Sequence, residues 1–459
     1  MHFIILFAVM TMAPLSVSIW RMKRSGILDA LGLFAGFFSL YNGVLLVRFA
    51  TMADPNSVAY PIAFSSEVYE QAGMLDAIAA VSIVITAMFL HVLCPPAPRR
   101  LQRIEFVHPG DIFQAGFVSY VIGISMHATQ YLQHGGYLLL LSAGRGAKFE
   151  AFASGGLSWP YVPFTHAGLG LMFYGMGRSP STSRRAMSWG AFVWWLVLLV
   201  PQGDRLLIVQ SLIVIAAAWY GSRSRALRVS KKNVAAVIAL YVGLAVLGQI
   251  RNLIAPTVTG EVSTNVITMF MQENTSVNWF YPERTDIGGP YLSLLYFSAN
   301  AENGSIHPTN SYLDSLLWVL PKALYPGVKQ PAFSEDFAWT MHRGSGPVAG
   351  WGFNSVAEAY SNFGTAGIFI VFTLWTALFF ALDRIKQLNE VGLLLFSILL
   401  ASTVTVNRMD FRCVYCETVY AVGALFIALF LAKVIGGARR FKWNREGRRV
   451  FDTGNQGFL

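Results

Sequence analysis

The sequence predicts an all-α protein that crosses a membrane many times, and three observations carry that fold class. Hydrophobic residues make up 54% of the chain and charged residues only 13%, where a soluble chain carries about 25%. The apolar residues stand in unbroken runs, long enough to cross ~30 Å of hydrocarbon at roughly 20 residues per helix. A β-barrel would instead alternate polar and apolar over strands of about 10 residues. The net charge of +10 is gathered into one set of short loops, which is a topology signal and argues against nucleic acid as a partner.

Eleven spans follow in order. The first, near 3–20, is trailed rather than preceded by basic residues ("RMKR", 21–24), the reverse of a secretory signal peptide. The second, near 27–49, ends at Arg48. Spans near 73–93 and 112–132 flank "RRLQR" (99–103), and those near 160–177 and 188–201 flank "RSPSTSRR" (178–185). The turn "PQGD" (201–204) leads into a span near 203–220, and "SRSRALRVSKK" (222–232) leads into one near 234–252. Spans near 360–383, 392–406 and 413–435 close the bundle before the tail "ARRFKWNREGRR" (438–449). Every basic loop falls on one side, which the positive-inside rule makes cytoplasmic. The N-terminus is then outside and the C-terminus inside. The chain divides into N-terminal spans (1–252), a large outer loop (253–350), C-terminal spans (351–435) and a basic tail (436–459).

Three outer segments are sizeable: 50–72, 133–159 and 253–350. The last is too long for a passive connector. Within it, "HPTNSYLDSLLWVLPKALYP" predicts a short helix with Ser311 as N-cap and Asp314 completing a capping box. Leu313, Leu316, Leu317 and Leu320 form its apolar face, suited to the membrane interface, and Pro321 stops it. The stretch 262–281 reads as a second such helix, and 133–159 as an interfacial or re-entrant element. Cys413 and Cys416 form a lone C-x-x-C that reads as packing.

Ionisable residues in or beside spans are costly and therefore informative. Arg48, Asp76, Asp204, Arg205, Arg251, Arg408, Asp410, Arg412 and Glu417 all fall at predicted outer ends, Asp29 at an inner one, and none at the midplane. A secondary transporter places its binding groups near the middle, on broken helices. The pattern instead favours a site at the outer face. Arg205, Arg251 and Arg408 come from three separate spans and can converge on one anionic group, because guanidinium stays charged and donates as a planar fork. The competing reading is three snorkelling arginines, each paired with a nearby acid.

At this point the chain resembles the bacterial oligosaccharide repeat-unit polymerases of the Wzy type. The matching features are "GDRLLIVQSLIVIAAAWY", the arginine of "GQIR", the large outer loop, and "GWGFNSVAEAYSNFGTAGIFI" entering a span. The resemblance runs over roughly residues 110–435. It implies a membrane glycosyltransferase of GT-C type in the bacterial inner membrane, N-terminus periplasmic, with the loop 253–350 in the periplasm. Such an enzyme moves the growing glycan from undecaprenyl pyrophosphate onto the next lipid-linked repeat unit. It works beside a flippase and a chain-length regulator, among membrane lipids. The arginines would then stabilise the pyrophosphate as it leaves, and no metal or other cofactor is expected.

Glu358, heading a span, and His307, in an outer-loop turn, are the candidates for activating the acceptor hydroxyl. Their bland alternatives are a carboxylate balancing a helix dipole and a structural histidine. Arg284, Arg343, Arg145 and Tyr360 are further candidates for holding phosphate or sugar. An O-antigen ligase, using the same donor lipid with another acceptor, is the nearest alternative; a lipid or polysaccharide transporter is the next.

Overall fold

The computed structural model describes residues 2–52, 63–94, 108–133, 160–200, 204–223, 287–302, 311–320 and 352–454, with a few isolated positions between. Among them every regular element is helical. The elements are α1 (His2–Ser25), α2 (Ala30–Thr51), α3 (Ser66–Leu93), α4 (Pro109–Gln133), α5 (Tyr161–Arg178), α6 (Thr182–Leu199) and α7 (Arg205–Ser222). There follow α8 (Gly288–Glu302), α9 (Ser311–Trp318), α10 (Ser355–Ile385), α11 (Glu390–Leu399), α12 (Ser402–Thr405) and α13 (Phe411–Gly454). Each predicted span contains a helix except 234–252, which lies almost wholly outside the described residues. Among the described residues, seven helices are long and apolar enough to cross a membrane: α1, α2, α3, α4, α7, α10 and the Phe411–Gly437 part of α13. This is a polytopic helical membrane protein.

Helix α5 shows why the apolarity of a span tracks its neighbours. Every residue from Thr165 to Met176 is buried, so it meets protein on all sides and needs no lipid-compatible surface. It packs antiparallel on α4 through glycines set seven apart on both helices. A Cβ on Gly168 would lie 2.5 Å from the Tyr120 amide, and one on Gly116 2.8 Å from the Met172 amide. Gly123 abuts Thr165 and Gly175 abuts Phe113 in the same way. With lipid as solvent, helix association depends on such close van der Waals approach, so small residues form the seam.

At the predicted inner end, Arg21 forks onto Asp29 and also reaches Asp383, each at 2.9 Å. Lys386 bonds Asp383 at 2.7 Å, and the Ala30 and Leu31 amides donate to the same carboxylate. Four charges thereby tie α1, α2 and α10 together. Each is compensated, so loss of one partner would strand a buried charge, at about 3–5 kcal/mol. Above this clamp Phe34 and Phe38 of α2 pack on Phe372 and Phe379 of α10.

Three spans are broken. Helix α2 contains a π-helical turn, Ser39–Gly43. The predicted span 392–406 is two short helices, α11 and α12, followed by a turn. Helix α10 breaks at Gly364 (φ 63°, ψ −159°). A Cβ on Gly367 would lie 2.8 Å from the Ala359 carbonyl, eight residues back, a separation of ~12 Å in a straight helix. Residues 355–363 therefore fold back on 365–385 as the short arm of a V. Asn354, at the foot of that arm, bonds Asn42 at 2.7 Å, about 13 Å short of the end of α2 at Thr51. The start of this predicted span thus lies inside the bundle.

Asp76 also differs from expectation. The sequence put it at an outer end, but α3 begins at Ser66 and carries Asp76 about 15 Å along its axis. Its side chain is buried, and neither carboxyl oxygen has a hydrogen-bond partner. The expectation that no ionisable group sits deep in a span fails here, because the boundary drawn at residue 73 was too late.

Candidate functional site

The short arm of α10 builds the site. Asn354 caps it by accepting from the Val356 amide at 2.8 Å, while its own amide donates to Ser293 of α8 at 2.9 Å. The preceding Phe353 amide donates to the Arg408 carbonyl at 2.7 Å. One turn along, Glu358 is 1% exposed and both its oxygens are engaged. Oε1 accepts from the Ser311 hydroxyl and Oε2 from the Phe411 amide, each at 2.7 Å. Asn362 accepts from the Ser311 amide and donates to the Ser311 hydroxyl, both at 2.9 Å. Phe363 stacks on Tyr312, and Gly364 then turns the chain. The stretch "NSVAEAYSNFG" is thus a hairpin that holds α9, in the large loop, against the start of α13.

This corrects the predicted capping box. Ser311 does not cap its own helix; the Asn362 side chain caps it from α10, and the Ser311 hydroxyl serves Glu358 instead. The expected apolar face of α9 is present, with Leu313, Leu316, Leu317 and Leu320 all exposed. Its opposite face carries Ser315, fully buried, and Tyr312. Burial, with Glu358 and Asp410 nearby, pushes the Tyr312 phenol well above its usual range, so it stays protonated.

The turn between α12 and α13 supplies the charges. Asp410 accepts from the Ser334 amide and hydroxyl at 3.0 and 2.8 Å and caps α13 through the Cys413 amide at 3.0 Å. Arg412 lies over the Trp318 ring at 4.0 Å and interacts electrostatically with Glu358. Arg408 and Arg412 are 8% and 7% exposed. Two guanidinium groups held this far from water favour an anionic partner.

Beside this turn α7, α12 and α13 meet. Gln210 of α7 donates to Thr405 of α12 and to Glu417 of α13, both at 2.8 Å. Arg205 opens α7 little more than one turn above Gln210 and is partly buried. Arg408 lies within one turn of Thr405, its amide donating to the Thr405 carbonyl at 3.0 Å.

Of the predicted site residues, the structure therefore places Glu358 beside the α12–α13 turn that carries Arg408, and Arg205 on the helix that Gln210 ties to that turn. Tyr360 packs against the main core. Arg251, Arg284, Arg343, Arg145 and His307 lie outside the described residues. Sequence reasoning overlooked Gln210 and Asn354, and noted Asn362, Asp410, Arg412 and Glu417 without giving them roles. Gln210 had a visible signal, a lone amide in the apolar run "RLLIVQSLIV".

The fold and site define a helical membrane protein with a buried, arginine-bearing polar centre assembled from broken helices. No family model, curated protein or solved structure matches the chain.

Proposed function

We propose that this protein is a polysaccharide polymerase of the GT-C type in the bacterial inner membrane, eleven spans in all, with its N-terminus and large loop periplasmic. It transfers a growing glycan from undecaprenyl pyrophosphate to the next lipid-linked repeat unit, in company with a flippase and a chain-length regulator. The observation that carries this reading is the pair of buried arginines, Arg408 and Arg412, set beside the family-like hairpin 354–364. A polyprenyl pyrophosphate needs cations next to a membrane interior, and fixed guanidinium groups stabilise charge as it develops on the leaving group. Arg205 and Arg408 then hold the pyrophosphate together with Arg251; Arg284, Arg343 and Arg145 contact phosphate or sugar. Glu358, with both oxygens engaged, holds α9 and the α13 start on the hairpin instead of touching substrate, and His307 approaches from the loop.

Reconstituted protein supplied with undecaprenyl-pyrophosphate oligosaccharide should build a ladder of longer glycans. Arg408→Ala should lower the rate by about 10²-fold or more, and Arg408→Lys should restore only part because it lacks the fork. Parent protein that makes no ladder overturns the proposal.

One observation favours a second reading. The π-turn of α2 bonds the foot of the α10 hairpin through Asn42 and Asn354, and α12 packs on α2, so broken helices meet in the bundle as they do in secondary transporters. Glycolipid crossing proteoliposome membranes without any glycosyl transfer would support that reading.

A further inference from the structure

We infer that Glu417 is the carboxylate that takes the proton from the acceptor hydroxyl, in a hydroxyl-binding subsite formed with Gln210 where α7, α12 and α13 meet. The assignment rests on the glycosyl-transfer reading above. Its starting point is a contrast between two glutamates. Glu358 is 1% exposed with both oxygens occupied, one by a backbone amide that cannot swing aside. It ties together α9, α10 and α13. Glu417 is partly exposed, and its partners are the neutral side chains of Gln210 and Thr405. Among the described residues no cation touches it, so its oxygens are held by neutral groups alone.

The polar atoms around it suit a sugar hydroxyl. A carboxylate only accepts, so the Gln210 amide must turn Nε2 toward Glu417. That orientation leaves Gln210 Oε1 buried without a hydrogen-bond partner, in a residue 1% exposed. Buried acceptors are rarely left so, because the lost hydrogen bond costs about 1–3 kcal/mol. A hydroxyl donor entering beside Gln210 supplies what is missing. Arg205 stands little more than a turn above Gln210, and Arg408 within a turn of Thr405. A pyrophosphate held by them would present the anomeric carbon downward, toward Glu417. In the step itself the acceptor oxygen bonds to the anomeric carbon, and the bond from that carbon to the pyrophosphate oxygen breaks. The electron pair leaves on the pyrophosphate, while the hydroxyl proton passes to Glu417 and then to water.

The test compares Glu417→Gln and Glu358→Gln in the full-length protein, in proteoliposomes with undecaprenyl-pyrophosphate oligosaccharide. Glu417→Gln keeps an oxygen for the Gln210 amide and should fold; it should lower kcat about 10²-fold or more, leave KM little changed, and abolish the acidic limb of the pH–rate profile. Glu417→Asp should recover part of kcat with that limb restored, and it is the variant to measure if Glu417→Gln does not accumulate. Glu358→Gln should instead lower the melting temperature and keep the parent's pH profile. An active parent with Glu417→Gln, or Glu417→Asp in its stead, at the parent kcat and pH profile overturns this assignment alone. A parent that transfers no glycan overturns the glycosyl-transfer reading and this assignment together.

Discussion

At the scale of single residues, the carboxylates divide by what surrounds them. Asp383 is buried but enclosed by Arg21, Lys386 and two amides. Glu358 is buried and satisfied by a hydroxyl and an amide. Asp76 is buried with neither oxygen hydrogen-bonded. A polar group left so costs about 1–3 kcal/mol, whereas an apolar side chain of similar volume pays nothing of the kind. Asp76→Leu should therefore raise the thermal midpoint of the purified protein. A fall on that substitution would mean that Asp76 is satisfied in the working state by something that binds there. The sequence could show that an acid stood at position 76, but not its depth: the helix begins at Ser66, seven residues before the apolar run that marked the span.

Among the elements, the V of α10 decides where the site lies. Gly364 adopts a backbone region that is almost closed to residues with a Cβ. Nothing lies within 4 Å of where that Cβ would be, so Gly364→Ala tests backbone strain without a clash. The cost should be roughly 1–3 kcal/mol, read as a lower thermal midpoint, with Ser311 no longer held on Glu358. Unchanged melting would mean that the break costs the chain nothing. The sequence carried "NFG" in plain view as part of the family-like motif. What it could not carry was the direction of the turn, since an apolar run reads identically whether it continues straight or doubles back. The same limit applies to 392–406, a largely apolar stretch that folds as two short helices and a turn rather than one crossing.

For the whole molecule, the helical, many-times membrane-crossing character was legible because hydrocarbon demands long apolar runs. The site was only partly legible. Glu358 and Arg408 were marked by charge in unusual places, whereas Asn362 and Gln210 matter through partners distant in sequence, Ser311 and Glu417. Sidedness remains open to a direct measurement. Ser334 is a poor place for a reporter, since its amide and hydroxyl both bond Asp410. Asp314 is exposed on α9. After replacement of the native cysteines, Asp314→Cys should react with a membrane-impermeant maleimide in intact spheroplasts. Labelling only after permeabilisation would reverse the topology and, with it, the periplasmic placement of the loop.

The glycine seam between α4 and α5 bears on how the protein can move. Where main chain rests on main chain, there are no rotamers to exchange and no side chain to yield, so the pair behaves as a single stiff plate. Helix α7 leans against α5, which fixes Arg205 and Gln210 to that plate. The body of α13 packs on the same plate, and α9 is fastened differently: Ser311 and Asn362 hold it to the α10 hairpin by individual hydrogen bonds, each of which can open and re-form. The site is thus a vice with a fixed bed and one travelling jaw, α9. If the protein extends a glycan as proposed, successive rounds would move only that jaw, and the geometry at Gln210 would be the same at the last cycle as at the first.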